Sequence, residues 1–198
     1  MFTKNIIKLQ KLSKIPYFTI EDAADTLEIG IESARVFCSR YAKKGLLVKL
    51  KNNFYSTLQK LENISVTELI SIANILQVPS YVSLMTAMAY YGVTTQVQRN
   101  FIESISLKRT VEYDAKDIMF KFYRIKKKYF FDFVRAGNIF IAAKEKSFID
   151  SAYLYSFGKY KFDINSLDIN KLDRVKIKKL IKPYPEKTKK IVSKICNL

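Results

Sequence analysis

Glu145, Lys146 and Asp150 are the side chains whose types come closest to a catalytic set. Two carboxylates with a lysine resemble the groups that nucleases use to hold a metal ion and an attacking water molecule. The spacing argues against this chemistry, because residues five apart on a helix do not share a face. Glu145 also stands in the first turn of a predicted helix, where a carboxylate interacts favourably with the helix dipole. We therefore expect a cap or a salt bridge here, and we expect that the protein is not an enzyme.

The composition removes several other kinds of catalysis. The chain has no histidine, and its two cysteines, Cys38 and Cys196, are far apart in the sequence. Catalytic triads that need histidine, histidine-ligated zinc and imidazole acid/base catalysis are therefore excluded. Two cysteines also make neither a disulfide framework nor a metal site, and the five glycines form no phosphate-binding loop. We expect neither a metal nor a cofactor.

Polar side chains on a helix predicted over residues 31–44 indicate a different chemistry, the recognition of DNA bases. Apolar residues give this helix a single stripe to bury, so its opposite face points to solvent. The solvent face carries guanidinium and hydroxyl donors that are compatible with the DNA major groove, together with a valine. The residues predicted to read bases are Ser33, Arg35, Val36, Ser39 and Arg40.

Basic and amide side chains beside this helix are predicted to hold the phosphate backbone. Gly45 ends the helix, and two short strands over residues 46–56 follow, joined by a turn of two asparagines. A hairpin after such a helix is typical of a wing, whose lysines lie near phosphate groups. The residues predicted to contact phosphate are Lys43, Lys44, Lys49, Lys51, Asn52 and Asn53.

A possible second basic patch consists of Lys126, Lys127 and Lys128, which precede three consecutive aromatic residues. The lysines could bind a nucleic-acid backbone while the aromatic rings stack on single-stranded bases. A solvated turn followed by core aromatics explains the pattern equally well. The tail, residues 171–198, holds ten basic and two acidic residues, which fit solvated helices, a second DNA contact or a contact with a protein partner.

The elements that must position the base-reading residues are three short helices and the hairpin within residues 1–60. The first helix is predicted over residues 4–12. The second begins after Thr19, which forms a capping box with Asp22, and Gly30 separates it from the third. Two helices joined by a tight turn and followed by a hairpin predict a winged helix-turn-helix domain. A protein-interaction module with the same three helices stays an alternative.

Residues 61–198 are predicted to form a second domain, of α+β class with antiparallel strands. A capping box at Ser65 starts a helix that ends before Pro79. From residue 99 the apolar residues recur at every second position, which is typical of strands. The other predicted elements are a helix over 83–91, a hairpin turn over 114–117, a strand near 139–142, a helix over 144–156 and two basic helices in the tail. The faces expected to be buried include Val66 and Tyr155.

The formal net charge of +17 is unevenly distributed. Residues 1–60 hold eleven basic and five acidic residues. Residues 61–98 hold no basic and two acidic residues, and residues 99–198 hold twenty-four basic and eleven acidic residues. An uncharged core flanked by two basic surfaces favours a polyanionic partner. AT-rich coding bias is the alternative, since 28 lysines stand against 7 arginines. The sequence shows neither a membrane-spanning apolar run nor a signal peptide, so we expect a soluble, cytoplasmic protein without a membrane partner.

Four stretches, in order along residues 1–160, resemble those of one known family. They are Gly45-Leu46-Leu47 through Phe54-Tyr55-Ser56, Val78-Pro79-Ser80 through Tyr90-Tyr91-Gly92, Lys108-Arg109-Thr110 through Tyr123-Arg124-Ile125, and Ile141-Ala142-Ala143 through Phe148-Ile149-Asp150. In this order and spacing the sequence resembles the AbiEi family of antitoxins, transcriptional regulators of type IV toxin-antitoxin (abortive infection) systems. Tyr91 departs from the family pattern, in which many relatives have histidine.

The resemblance implies an N-terminal winged helix that binds double-stranded DNA at an operator with inverted repeats, and a C-terminal antitoxin domain. It further implies that the protein represses its own operon and neutralises a nucleotidyltransferase-like toxin, whether or not the two proteins touch. The alternative is a non-enzymatic module that binds RNA or another protein through the winged helix. A base-reading helix is expected to expose hydrogen-bond donors, whereas an interaction helix exposes more large apolar groups.

Overall fold

A computed structural model describes residues 9–96 and 99–197 and shows an α+β fold with two sheets, which confirms the predicted class. The helix predicted over residues 4–12 lies mostly outside the described residues, although residues 9–12 are helical. The N-terminal elements that follow are β1 (Phe18–Thr19), α1 (Ile20–Leu27), α2 (Ile31–Lys43), β2 (Leu47–Lys51) and β3 (Phe54–Thr57).

Local signals fix the ends of α1 and α2 as the sequence predicts. The Thr19 hydroxyl accepts from the backbone N–H of Asp22, and the Asp22 carboxylate accepts from the backbone N–H of Thr19 at 2.8 Å. This reciprocal pair satisfies two N–H groups that the first helical turn leaves without partners. After α2 the chain reverses at Gly45, whose φ of +73° is a conformation that glycine adopts without strain.

A small antiparallel sheet joins the two ends of the N-terminal unit. Its strand order is β1-β3-β2, so β1, which precedes both helices, pairs with the second strand of the hairpin. Between the sheet and the two helices lies a core in which Phe18 and Cys38 are fully buried. The helices are thereby held against the hairpin as one unit.

The rest of the chain forms a larger α+β unit. Its helices are α3 (Leu58–Glu62), α4 (Val66–Leu76), α5 (Leu84–Tyr90), α6 (Lys144–Ser156), α7 (Arg174–Leu180) and α8 (Glu186–Cys196). Its strands are β4 (Ser80–Val82), β5 (Phe101–Ser106), β6 (Val111–Ala115), β7 (Ile118–Arg124), β8 (Phe133–Ala136) and β9 (Ile139–Ala142). The predicted capping box at Ser65, the hairpin turn between β6 and β7, and the two tail helices are all present.

The six strands make one mixed sheet, in the order β6-β7-β5-β4-β9-β8. The expectation of antiparallel strands was therefore wrong in part, because β5 runs parallel to β7 and β4 runs parallel to β9. The hairpin partner β6 lies at the sheet edge, which leaves β7 beside β5. An apolar residue at every second position reports which face of a strand is buried, but it carries no information about strand direction.

Helices cover both faces of this sheet. On one face α4 packs against Val82, Phe120 and Phe122, and on the other α5, α6 and the two tail helices pack around Tyr81. Two expected core positions were wrong: Val66, the first residue of α4, is 50% exposed, and Tyr155 is 41% exposed. Val66 lies one turn before the buried stretch of α4, and the Tyr155 ring meets only the half-buried edge of the helical layer near Phe162.

The two units share a core instead of being joined by a free linker. Leu50 of β2 and Leu61 of α3 belong to the same buried cluster as α4 and the large sheet. The boundary predicted at residue 60 consequently falls inside α3. Because the cluster spans both units, the orientation of α2 is tied to the large sheet.

Glu103 is a buried carboxyl within the large sheet. It is 1% exposed, and its Oε2 accepts a hydrogen bond from the Tyr160 hydroxyl at 2.8 Å. Burial raises the pKa of Glu103 to about 7, although the Tyr160 hydrogen bond, a backbone hydrogen bond at Met85 and the charge of Lys121 act in the opposite direction. The folded protein therefore holds a proton that the unfolded chain releases at a lower pH.

We expect the Glu103 carboxyl to make the protein less stable as pH rises. With a pKa of about 7 in the folded state and an ordinary pKa of 4.5, the loss of stability develops between these two pH values and is complete above them. The difference in unfolding free energy between wild type and Glu103→Gln should grow by about 3 kcal/mol across this window, in favour of the variant. Urea denaturation at pH 4.5 and pH 8 measures it. A difference that does not change with pH would contradict the assignment.

Candidate nucleic-acid interface

The exposed face of α2 presents all five residues that were predicted to read bases. Ser33, Arg35, Val36, Ser39 and Arg40 are each exposed. The guanidinium of Arg35 lies 3.5 Å from the carboxylate of Glu32, one turn earlier in α2, and both side chains are more than half exposed. A surface pair of this kind contributes at most about 1 kcal/mol, so the guanidinium can exchange its partner for a base edge.

Apolar contacts hold the opposite face of α2 in place. Ala34 and Cys38 are fully buried, and the rings of Phe37 and Tyr41 stack with centroids 4.1 Å apart. Burial raises the pKa of the Cys38 thiol to about 11, so this cysteine stays protonated and acts as a small apolar group. The buried face of α2 therefore fixes the orientation of its exposed face.

The hairpin turn uses one of its two asparagines within the protein. Asn53 adopts a φ of +65°, its Oδ1 accepts from the backbone N–H of Ile20, and its Nδ2 donates to Glu21 at 2.8 Å. The hydrogen bond from Asn53 is the largest cause that lowers the pKa of Glu21. Asn53 therefore ties the hairpin to the start of α1, while Asn52 is exposed at the tip.

Lys51 also differs from the other predicted phosphate contacts. Its ammonium group donates to the backbone carbonyl of Ile75 in α4 and lies 4.4 Å from the centroid of the Phe54 ring. Burial lowers the pKa of Lys51. Lys51 therefore joins the hairpin to α4, and the predicted phosphate contacts that remain exposed are Lys43, Lys44, Lys49 and Asn52.

The second basic patch is exposed, but the aromatic residues that follow it belong to the core. Lys126, Lys127 and Lys128 are exposed, and the last two of them belong to a 3₁₀ turn, Lys127–Tyr129. Tyr129 is 2% exposed and stacks on Tyr184 with ring centroids 4.5 Å apart. The Tyr129 ring therefore cannot stack on a nucleic-acid base, and this residue fits the alternative of a solvated turn followed by core aromatics.

The carboxylates of α6 lie in two separate buried networks. Glu145 accepts from the backbone N–H of Asp173 and pairs with Lys176 at 3.2 Å, which fastens the start of α7 to α6. Asp150 pairs with Lys146, and both side chains are completely buried. The expected salt bridges are therefore present. Within residues 9–96 and 99–197 no cluster of three or more cysteine and acidic residues could hold a metal ion.

Sequence comparison gives no further guide to this surface: the chain matches no model of a known protein family and no curated protein. The helices that the structure describes include none long and apolar enough to cross a membrane.

Proposed function

We propose that the protein is a DNA-binding repressor whose N-terminal unit acts as a winged helix-turn-helix. The observation that carries this proposal is the exposed face of α2, where two arginines, two serines and a valine stand on a buried apolar support. In this arrangement α1 crosses the backbone, α2 enters the major groove, and the β2–β3 hairpin is the wing. Lys43, Lys44 and Lys49 hold phosphate groups.

The antitoxin role follows from the resemblance to the AbiEi family and is part of the same proposal. The larger unit, which contains the six-stranded sheet, is the antitoxin domain, and its functional partner is a nucleotidyltransferase-like toxin encoded beside it. Repression and neutralisation then belong to different surfaces, because the base-reading residues all lie on α2. Variants of α2 are therefore expected to separate the two activities.

A protein-binding role for the N-terminal unit is the second candidate. Three large apolar residues near the start of α2 favour it, since Ile29, Ile31 and Val36 are 38%, 49% and 63% exposed. Clustered exposed apolar groups are typical of protein interfaces. They would also fit a dimer contact on DNA, so the effect of the arginines decides between the two roles.

Replacing Arg35 and Arg40 with alanine in the full-length chain should abolish repression. Each arginine that contacts a guanine edge contributes about 1–3 kcal/mol of discrimination, so binding to the promoter fragment should weaken at least tenfold. The variant should still rescue growth when the neighbouring toxin gene is expressed. The measurements are a promoter-driven reporter, a gel-shift titration and a growth assay.

Lys49→Ala is the matched variant that removes a phosphate contact of the wing. Lys179 is an exposed residue of α7, and Lys179→Ala is the control for the loss of one positive charge elsewhere in the protein. Lys49→Ala should weaken binding to cognate and unrelated DNA by the same factor, because a phosphate contact carries no sequence information. Lys179→Ala should leave the affinity of the N-terminal unit for the promoter fragment unchanged. Full repression by the double arginine variant would refute the placement of base readout on α2 and favour the protein-binding role.

A further inference from the structure

A basic cleft lies on the larger unit, away from α2. It opens between the end of β7 and the C-terminal end of α6, and its volume is about 570 Å³. Arg124, Lys126, Lys127 and Lys159 line it together with the rings of Tyr153 and Phe157. Pockets of 300–1,000 Å³ are of the size that takes a small ligand.

The charge of this cleft is not neutralised by the protein. All four cationic side chains are exposed, no acidic residue is among those that line the cleft, and within the described part of the chain none of the four forms an ion pair. Nearby lysines do find carboxylates, as Lys121 does with Glu112 at 2.7 Å. Four unpaired cations around one concavity attract an anion, and phosphate oxygens suit them best.

An aromatic wall stands beside these cations. Phe157 is 47% exposed, and its ring meets that of Tyr153 at a centroid distance of 5.3 Å. The Tyr153 ring also contacts the rings of Tyr129 and Tyr184, with centroid distances of 4.8 and 5.6 Å. An exposed ring offers a face on which a base can stack. The Lys187 ammonium group lies over the Phe157 ring, 5.7 Å from its centroid, and adds positive charge beside this wall.

We propose that this cleft binds a nucleoside phosphate, with the base against Phe157 and Tyr153 and the phosphate among the four cations. The ligand is a free nucleotide or one nucleotide of a single strand. A duplex does not fit this chemistry, because its bases are stacked on each other and their faces are not available to an aromatic side chain. The site is separate from the DNA-reading surface and does not depend on the function proposed for α2.

Lys128 supplies a matched control for this site. It is exposed and adjacent to Lys127, but it does not line the cleft, and its ammonium group lies over the Tyr129 ring at 5.0 Å from the centroid. A ligand that is merely attracted to a basic protein responds equally to the loss of either lysine. A ligand in the cleft responds to Lys127 alone.

The test is the binding of ATP, inorganic phosphate and a fluorescein-labelled oligouridylate to the full-length protein, followed by calorimetry and fluorescence anisotropy. Lys126→Ala/Lys127→Ala should weaken binding of ATP and the oligonucleotide at least tenfold. Phe157→Ala should weaken both roughly 5- to 150-fold, the range of one stacked base. Lys128→Ala should change neither affinity by more than about fivefold, because an exposed charge contributes at most about 1 kcal/mol. Unchanged thermal melting shows that the variants are folded.

The two sources of ligand are distinguished by strand length. Affinity that rises from ATP to the oligonucleotide, while remaining sensitive to Phe157→Ala, assigns the site to single strands. Equal or tighter binding of ATP assigns it to free nucleotides. The proposal is overturned if inorganic phosphate binds as tightly as ATP, if Phe157→Ala has no effect, if Lys128→Ala equals the double variant, or if duplex DNA displaces ATP from the cleft.

Discussion

Binding to the promoter fragment should weaken roughly 1,000-fold when the salt concentration is raised from 50 to 200 mM. Each exposed lysine that neutralises a phosphate releases counterions and contributes about −0.9 to the slope of log K against log salt. Lys43, Lys44 and Lys49 are exposed lysines at the end of α2 and on the hairpin, and two copies on an inverted repeat present six of them. Six contacts give a slope of about −5. Fluorescence anisotropy over a salt series measures it.

Lys49→Ala tests whether the slope originates at the wing. The substitution removes one contact from each copy, so the slope should become shallower by about 2 for a pair of bound copies. Lys51→Ala is the matched variant, because Lys51 donates to the carbonyl of Ile75 and is expected to leave the slope unchanged. A salt-independent affinity would contradict nucleic-acid binding, and a change with Lys51→Ala equal to that with Lys49→Ala would contradict this assignment of the two lysines.

The different placements of Lys49 and Lys51 show where sequence reasoning stops. In a regular strand, residues two apart share a face, so both lysines were expected on the same surface. The register of β2 against β3 shifts between these two residues, and Lys51 turns towards α4 instead. A bulge of this kind depends on how the hairpin packs, and the alternation of β2 alone does not reveal it.

The exposed face of α2 was more accessible to prediction, because a helix with one apolar stripe defines its own solvent side. Ala34, Phe37 and Cys38 are buried as the pattern requires, and the residues between them are exposed. The basic cleft, by contrast, combines the end of β7 with the end of α6. Arg124 and Lys159 are 35 positions apart in the chain, and only the parallel pairing of β5 and β7 and the packing of α6 bring them together.

The pair formed by Lys146 and Asp150 could not be placed from sequence. A lysine and an aspartate four apart on a helix ordinarily form a solvent-exposed pair, yet both side chains here are completely buried. The Asp150 carboxylate also accepts hydrogen bonds from Ser83 at 2.9 Å and Tyr81 at 3.0 Å. The Tyr184 hydroxyl reaches it at 3.4 Å. This network connects β4, α6 and the segment between the tail helices.

Lys146→Met should lower the free energy of unfolding by about 3–5 kcal/mol, the cost of leaving one partner of a buried ion pair alone. Burial already raises the pKa of Asp150, although the Lys146 charge and its hydrogen bond act against this shift. Without Lys146, two causes that lower the pKa of Asp150 are lost and this pKa is expected to rise further, so the loss of stability should be smaller in acid and larger at high pH. Urea denaturation at several pH values measures both effects.

The double variant Lys146→Met/Asp150→Asn shows whether the loss of stability comes from the broken ion pair or from the lost contacts between Lys146 and the aromatic rings. Asparagine keeps an oxygen that can accept from Tyr81 and Ser83 but has no charge to neutralise, so the double variant should regain more than half of the stability lost in Lys146→Met. Together with the single variant Asp150→Asn, these proteins form a double-mutant cycle, and its coupling energy measures the ion pair itself. A double variant as unstable as the single one would show that the contacts of the Lys146 ammonium group with the Phe131 and Tyr184 rings are the main contribution. Because Tyr184 belongs to the same network, the loss of the charge pair should also expose the tail helices to proteolysis before the rest of the chain.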